Sequence, residues 1–148
     1  MDFDLSQIEM SHNDIRRNIK LPIELTKELA EFVGIMIGDG HLGYYKGVYT
    51  NGTKYVVYQV KIACNKNEDK FIAHVRRLFF SLFGTELSYL QDTAPGSIIL
   101  SKSSKAILGF LNSVCEIPLN SKTAIVKIPN LIKNAPQSIT CAFLIARD

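Results

Sequence analysis

The stretch Leu29-Ala30-Glu31-Phe32-Val33-Gly34-Ile35-Met36-Ile37-Gly38-Asp39-Gly40 decides the fold. Leu29, Phe32, Val33 and Met36 recur at helical spacing, Thr26 offers an N-cap and Glu28 a first-turn acid, so a helix is predicted over about residues 26 to 38. Ala30, Gly34 and Gly38 are spaced by four and line one stripe of it, along which a second helix backbone can come close. A glycine inside a helix costs about 1 kcal/mol against alanine, so two of them point to a gain elsewhere, a tight helix–helix seam. Asp39 stands at the carboxyl end, where the helix dipole disfavours a carboxylate by about 0.3–1 kcal/mol. If two such helices pack along their small-residue stripes, their terminal aspartates converge, and paired carboxylates hold a hard divalent cation such as Mg²⁺. The competing account is a plain C-cap and turn with a solvated Asp39. The stripe, the terminal acid and the hairpin that follows outweigh it together.

From His41 the apolar period changes to two, and Asn51-Gly52 between Thr50 and Thr53 is a strong hairpin signal. In the second strand Val56, Tyr58, Val60 and Ile62 fall on one face, and Tyr55, Val57, Gln59 and Lys61 on the other. One face is core, and the other is available to a ligand. Asn67, Glu68 and Asp69 then supply cap and first-turn acids for a second helix through Phe71, Ile72, Val75, Leu78, Phe79 and Leu82, stopped by Gly84. His74, Arg76 and Arg77 belong to its solvent face. A second hairpin, Glu86 to Gln91 and Ser97 to Lys102, turns around Pro95-Gly96. Ser103 or Ser104 caps a third helix through Ile107, Leu108, Phe110, Leu111 and Val114. After a looser stretch containing Pro118 and Pro129, a last helical pattern starts after Pro136, capped by Ser138. The order αββαββα plus a tail predicts an α+β domain on an antiparallel sheet. Residues 1–24, with Asp14, Arg16, Arg17 and Lys20 ahead of Pro22, read as an arm of little structural consequence. The domain spans 25–135, and 136–148 form the tail.

Composition bounds the function. The chain has 148 residues, 47% of them hydrophobic, with 17 basic against 14 acidic side chains and a formal net charge of +3. That is one domain's worth of chain, too apolar for disorder. Its longest apolar run is broken by Gly84 and ringed by Lys70, Arg76 and Arg77, short of the roughly 20 residues a bilayer crossing needs, so a membrane protein is not expected. Met1 to Met10 carries Asp2, Asp4 and Glu9 without a basic residue, unlike a secretory signal. Cys64, Cys115 and Cys141 are widely spaced and fit reduced, buried thiols of an intracellular, cytoplasmic protein. A small positive balance permits a polyanionic partner without demanding one.

Phe32 to Gly40 resembles the LAGLIDADG motif of homing endonucleases, and the αββαββα order resembles that family's core, from about Asn18 onward. The resemblance implies motif helices at the interface between two domains or subunits and a saddle-shaped sheet over double-stranded DNA. It also implies a catalytic divalent metal, Mg²⁺, at the helix end formed by Gly38 and Asp39. Metal-assisted hydrolysis of a phosphodiester needs a cation to activate water and neutralise developing charge. Lys102, at the end of the fourth strand, resembles the family's basic residue near the active site, and Asn65 is placed like a polar residue that organises water. Tyr55, Gln59 and Lys61, with His41 and Tyr45, are candidates to line the saddle and read base edges, with Lys46 and Lys54 near the hairpin tip touching phosphates. Ordinary solvated strand residues, or a protein interface, are the alternatives for this set.

Ala142-Phe143-Leu144-Ile145-Ala146 repeats the pattern of Ala30 to Gly34 and resembles the start of a second motif. In that alignment the counterpart of Asp39 falls beyond Asp148. Two outcomes follow: a second copy or half-chain packs along Ala30, Gly34 and Gly38, or the tail helix folds onto the stripe and leaves the metal site half-built. The expectation weighs towards a half-enzyme that cleaves poorly unless it dimerises. Beside an endonuclease stand a non-cleaving nucleic-acid-binding module, such as a maturase or regulator, and an inactive core.

Overall fold

Thr26 caps the decisive helix as its sequence suggests, its Oγ1 accepting the Leu29 N–H at 3.2 Å. In the computed structural model, which describes residues 2–91, 94–120 and 129–147, that helix is α2, Lys27–Asp39, preceded by a single-turn α1, His12–Arg16. It runs one residue past its predicted end and passes straight into β1, Gly40–Val48, without an intervening turn. Gly40 makes this passage possible, because a β-carbon there would fall 2.6 Å from the Met36 side chain.

β2, Lys54–Asn65, returns antiparallel to β1 through a loop in which Gly52 takes φ +86° and the Asn51 side chain accepts the Thr53 N–H. α3, Asp69–Phe83, ends at Gly84 in the left-handed region, φ +71°. β3, Ser88–Gln91, and β4, Ser97–Ser103, form the second hairpin, and the sheet order is β1-β2-β4-β3, antiparallel throughout. α4, Lys105–Gly109, is capped by Ser104 and widens into a π-helical turn over Phe110–Val114. A short α5, Asn130–Lys133, precedes α6, Gln137–Arg147, which starts directly after Pro136, so Ser138 lies inside the first turn rather than capping it. The fold is the α+β, αββαββα architecture expected. No helix among the described residues is long and apolar enough to cross a membrane.

From Leu29 to Ile37 every residue of α2 except Glu31 is buried, which makes it a central helix rather than an amphipathic surface one. Phe32 meets Phe79 and Phe83 of α3 with ring centroids 5.7 Å away in both cases, and Phe83 and Phe110 extend the cluster to the π turn. Glu31 reaches His74 of α3 at 2.5 Å.

Residues 1–24 are not a loose arm. Phe3 packs its tilted ring 5.8 Å from that of Phe110 and donates its backbone N–H to the Ile23 carbonyl, and Ile19 joins the core. Asp14 is fully buried and accepts from Ser11 N–H at 3.0 Å, Ser104 Oγ at 2.7 Å and Ala106 N–H at 2.9 Å. Ser11 and Asp14 form a local capping box, but the partners that bury the carboxylate, Ser104 and Ala106, lie 90 and 92 residues away and leave no local signature. Nor are all the cysteines buried as expected. Cys64 and Cys115 are, while Cys141 is exposed, and all three are free thiols.

Burial pushes the Asp14 carboxyl up, but the hydrogen bonds from Ser11, Ser104 and Ala106 outweigh it and hold it below the ordinary carboxylate range. A depressed folded-state value means stability that is present above the unfolded value of about 4 and lost as pH falls through the folded one. Asp14→Ala should therefore cost about 2–3 kcal/mol at neutral pH, since it strands buried donors. In urea unfolding, the gap between wild type and variant should narrow as pH drops below about 4. A gap that is constant with pH contradicts the assignment.

Candidate nucleic-acid interface

Residues directly opposite in an antiparallel pair lie on the same side of the sheet, so the register sorts side chains into two faces. Leu42 and Val60, and Ile62 and Leu100, sit in rows buried under the helices. The alternate rows, His41–Lys61–Ser101–Ser88, Gly43–Gln59–Ser103, Tyr45–Val57 and Gly47–Tyr55, form the other face. There Tyr45, Tyr55, Ser88 and Ser103 are exposed and His41, Gln59 and Lys61 half-buried. The structure thus brings His41, Tyr45, Tyr55, Gln59 and Lys61 together on one open face.

Two glycines set how the tyrosines lie there. A β-carbon at Gly43 would come 2.6 Å from the Tyr45 ring, so only glycine lets Tyr45 lean back along the strand. That lean brings its Oη to 3.1 Å from His41 Nε2. At Gly47 the Tyr55 ring fills the space a β-carbon needs, and Tyr55 also meets the Tyr49 ring at 4.6 Å. Glycines inside a strand were the available signal for this close approach.

The remaining candidates are distributed around this face. Asp39 is exposed at the C-terminal end of α2, with no basic residue in the last turn and no ion pair among the described residues. Gly40 pairs with Ile62, which sets Asp39 beside the end of β2 that carries Cys64 and Asn65. Burial, joined by the charges of Asp39 and Glu68, pushes the Cys64 thiol up to about 11. Asn65 shares a row with Ser97, and its side-chain oxygen accepts the Asn67 N–H at 3.0 Å, turning the chain towards α3 in place of the expected side-chain cap.

Lys102 faces elsewhere. It shares a row with Leu42 and Val60, on the helix-covered side, so the open face does not include it. Burial holds its ammonium below the ordinary lysine range, Arg17 repels it further and Glu86 partly offsets both. The cation that the register sets next to Asp39 on the open face is Lys61, opposite His41. Lys46 and Lys54 pair with Val56 and Val48 on the other side of the hairpin tip, where Lys46 Nζ lies 5.9 Å from the Tyr44 ring centroid.

The tail helix takes a place against α2 in this structure. Ala30 lies about 200° round α2 from Phe32 and so looks away from α3, and α6 packs along α2 within the same chain. Ala30 and Gly34 are buried, and Phe143 of α6 is fully so. At Gly38 the stripe opens out, where a β-carbon would meet nothing within 4 Å.

A hard divalent cation takes about six oxygen ligands. Asp39 and the carbonyl oxygens at the end of α2, Gly38 included, fit one side of such a shell. No cluster of three or more His, Cys, Asp or Glu that could hold a metal exists among the described residues.

No protein-family model matches the chain. Its fold is similar to solved structures of the homing endonuclease I-DmoI. Mesophilic variants of that protein superpose with a TM-score of 0.56 at 19% identity, covering 84% of this chain and 57% of theirs. I-DmoI in complex with DNA and Mn gives 0.53 at 20%, covering 84% and 61%, and its complex with DNA and Ca gives 0.53 at 20%, covering 84% and 56%. The chain therefore spans less than two thirds of those chains, and it has the fold of a LAGLIDADG homing-endonuclease domain.

The seam makes opposite demands on two stripe positions. Ala30→Leu should destabilise by about 1–3 kcal/mol through overpacking. Gly38→Ala should be neutral or stabilise by about 0.5–1 kcal/mol through helix propensity alone. Thermal unfolding of both variants checks the pair, and a tolerated Ala30→Leu contradicts the close packing of α6.

Proposed function

We propose that the chain is a DNA-binding domain of endonuclease type, laying its open sheet face against double-stranded DNA. The observation that carries this reading is the placement of an exposed Asp39, at the end of a close-packed helix pair, beside a polar and aromatic face that holds His41 and Lys61. A two-stranded ribbon fits the major groove, where Gln59 can pair with adenine edges. Tyr45 and Tyr55, fixed over their glycines, give the face rigid contact area. Lys46 and Lys54, on the other side of the hairpin tip, reach phosphates where the tip enters the groove between the two backbones.

In this reading Asp39 and the carbonyl of Gly38 would hold a divalent cation such as Mg²⁺. When bound, the cation supplies charge neutralisation at the scissile phosphate and an activated water. The residues of the chain orient the strand: Lys61 opposes the phosphate charge on the open face, and Asn65 offers a polar group at the same end of β2. Lys102, on the covered side, has no part in it.

A paired site needs a second acid beside Asp39, from a second copy, a longer partner or further chain beyond residue 148. Because α6 already lies on the stripe, a homodimer through Ala30 and Gly34 requires α6 to leave. A second reading, a non-cleaving nucleic-acid-binding module, uses the same open face without Asp39, and no group of three or more His, Cys, Asp or Glu able to hold a metal is present among the described residues.

Asp39→Asn should abolish nicking of a supercoiled duplex library in Mg²⁺ or Mn²⁺ while leaving duplex affinity within about threefold, since the acid serves chemistry rather than docking. Lys61→Ala should weaken binding and lower its salt dependence by about 0.9 in log–log slope. Nicking that survives Asp39→Asn contradicts the assignment of the acid. A wild type that binds duplex and never nicks it establishes the second reading.

A further inference from the structure

The helix-covered side of the sheet carries a basic surface that the duplex reading leaves unused. On α3, Asp69, Ala73, Arg76 and Phe80 follow one another at helical spacing, with Arg77 beside them, along the side where β3 is the edge strand. Between this stripe and β3 lies a cleft of about 540 Å³ lined by Lys66, Asp69, Ala73, Arg76, Arg77 and Tyr89. Past the two arginines it adjoins a hollow of about 270 Å³ edged by Phe80 and Glu86. Tyr89 is paired with Leu100, which belongs to a buried row, so the cleft is on the opposite side of the sheet from His41 and Lys61.

Three details give the cleft a chemical preference. The Arg76 guanidinium lies over the Tyr89 ring at 4.5 Å from its centroid, yet Tyr89 stays 56% exposed, so a cation–aromatic platform is formed and still accessible. Lys66, Arg76 and Arg77 have no ion-pair partner among the described residues, although Asp69 and Glu86 are near. Phe80 adds a second exposed ring at 52%. Unpaired cations interleaved with exposed aromatic faces match a phosphate backbone with unstacked bases. A peptide adding to the β3 edge would use backbone groups and leave the cations without a role.

We propose that this cleft binds a single-stranded nucleic-acid segment, a base stacking on the Tyr89–Arg76 platform while Lys66 and Arg77 take the flanking phosphates. The site is independent of the duplex reading, because the sheet separates the two.

Fluorescence anisotropy with the full chain and labelled oligouridylate or oligothymidylate at low salt tests it, the two arms telling whether the ribose matters. Either oligomer should bind. Tyr89→Ala should weaken that binding roughly tenfold, and Arg77→Glu should weaken it and lower the log–log salt slope by about 0.7 per lost contact. Lys61→Ala should leave it unchanged, as should saturating duplex DNA. Arg77 is exposed, so its variant should keep the wild-type melting temperature and remain interpretable. Binding by neither oligomer overturns the proposal, as does a loss with Lys61→Ala equal to that with Tyr89→Ala, or complete displacement by duplex. A chain that binds no duplex but keeps Tyr89-dependent oligomer binding removes the duplex reading and leaves this one standing.

Discussion

The packing of α2 on all sides at once is the constraint from which the rest of the structure follows. Phe32 commits one side to α3, Met36 and its neighbours settle on β1 and β2, and the small residues Ala30 and Gly34 admit α6 on the remaining side. Close-packed interiors tolerate little change in volume, so a helix enclosed in this way fixes the direction of its own end. That end is Asp39. The acid lies where it does because α2 has no freedom left, and β1 departs from it with no turn between.

Enclosing α2 on one side of the sheet frees the other. With α2 and α3 stacked over the buried rows, the alternate rows of β1 and β2 face outward carrying tyrosine, glutamine, histidine and lysine. Glycines at 43 and 47 let two of the tyrosines lie along the ribbon, which gives the face shape as well as polarity. The helix side, in turn, spreads its cations along α3 and the loop before it, and the sheet therefore divides its basic character between two surfaces.

Much of this was legible in the sequence, and what was not has physical causes. The capped helix, the Asn51-Gly52 hairpin, the stop at Gly84 and the alternating faces of β2 depend on neighbours in the chain, and each was visible as a local pattern. The buried Asp14 depends on Ser104 and Ala106, far away in sequence, and the first 24 residues passed for an arm on that account. The face of Lys102 was not legible from its place along a strand: one residue decides which side of a sheet a side chain takes, and the register with Val60 puts it on the helix-covered side. Arg76 looked like solvent-facing decoration on α3 because its partner, Tyr89, sits on a strand that only the fold brings alongside. Where the tail helix lies depends on packing between elements distant in sequence, and no local pattern states it.

Backbone amide shifts in a ¹H–¹⁵N spectrum, followed as duplex DNA is added, test the central claim most directly. The account predicts movement concentrated at Asp39, His41, Tyr45, Tyr55, Gln59 and Lys61, with Arg76, Arg77 and Tyr89 still. Movement centred on α3 and β3, with the β1–β2 face unchanged, would contradict it.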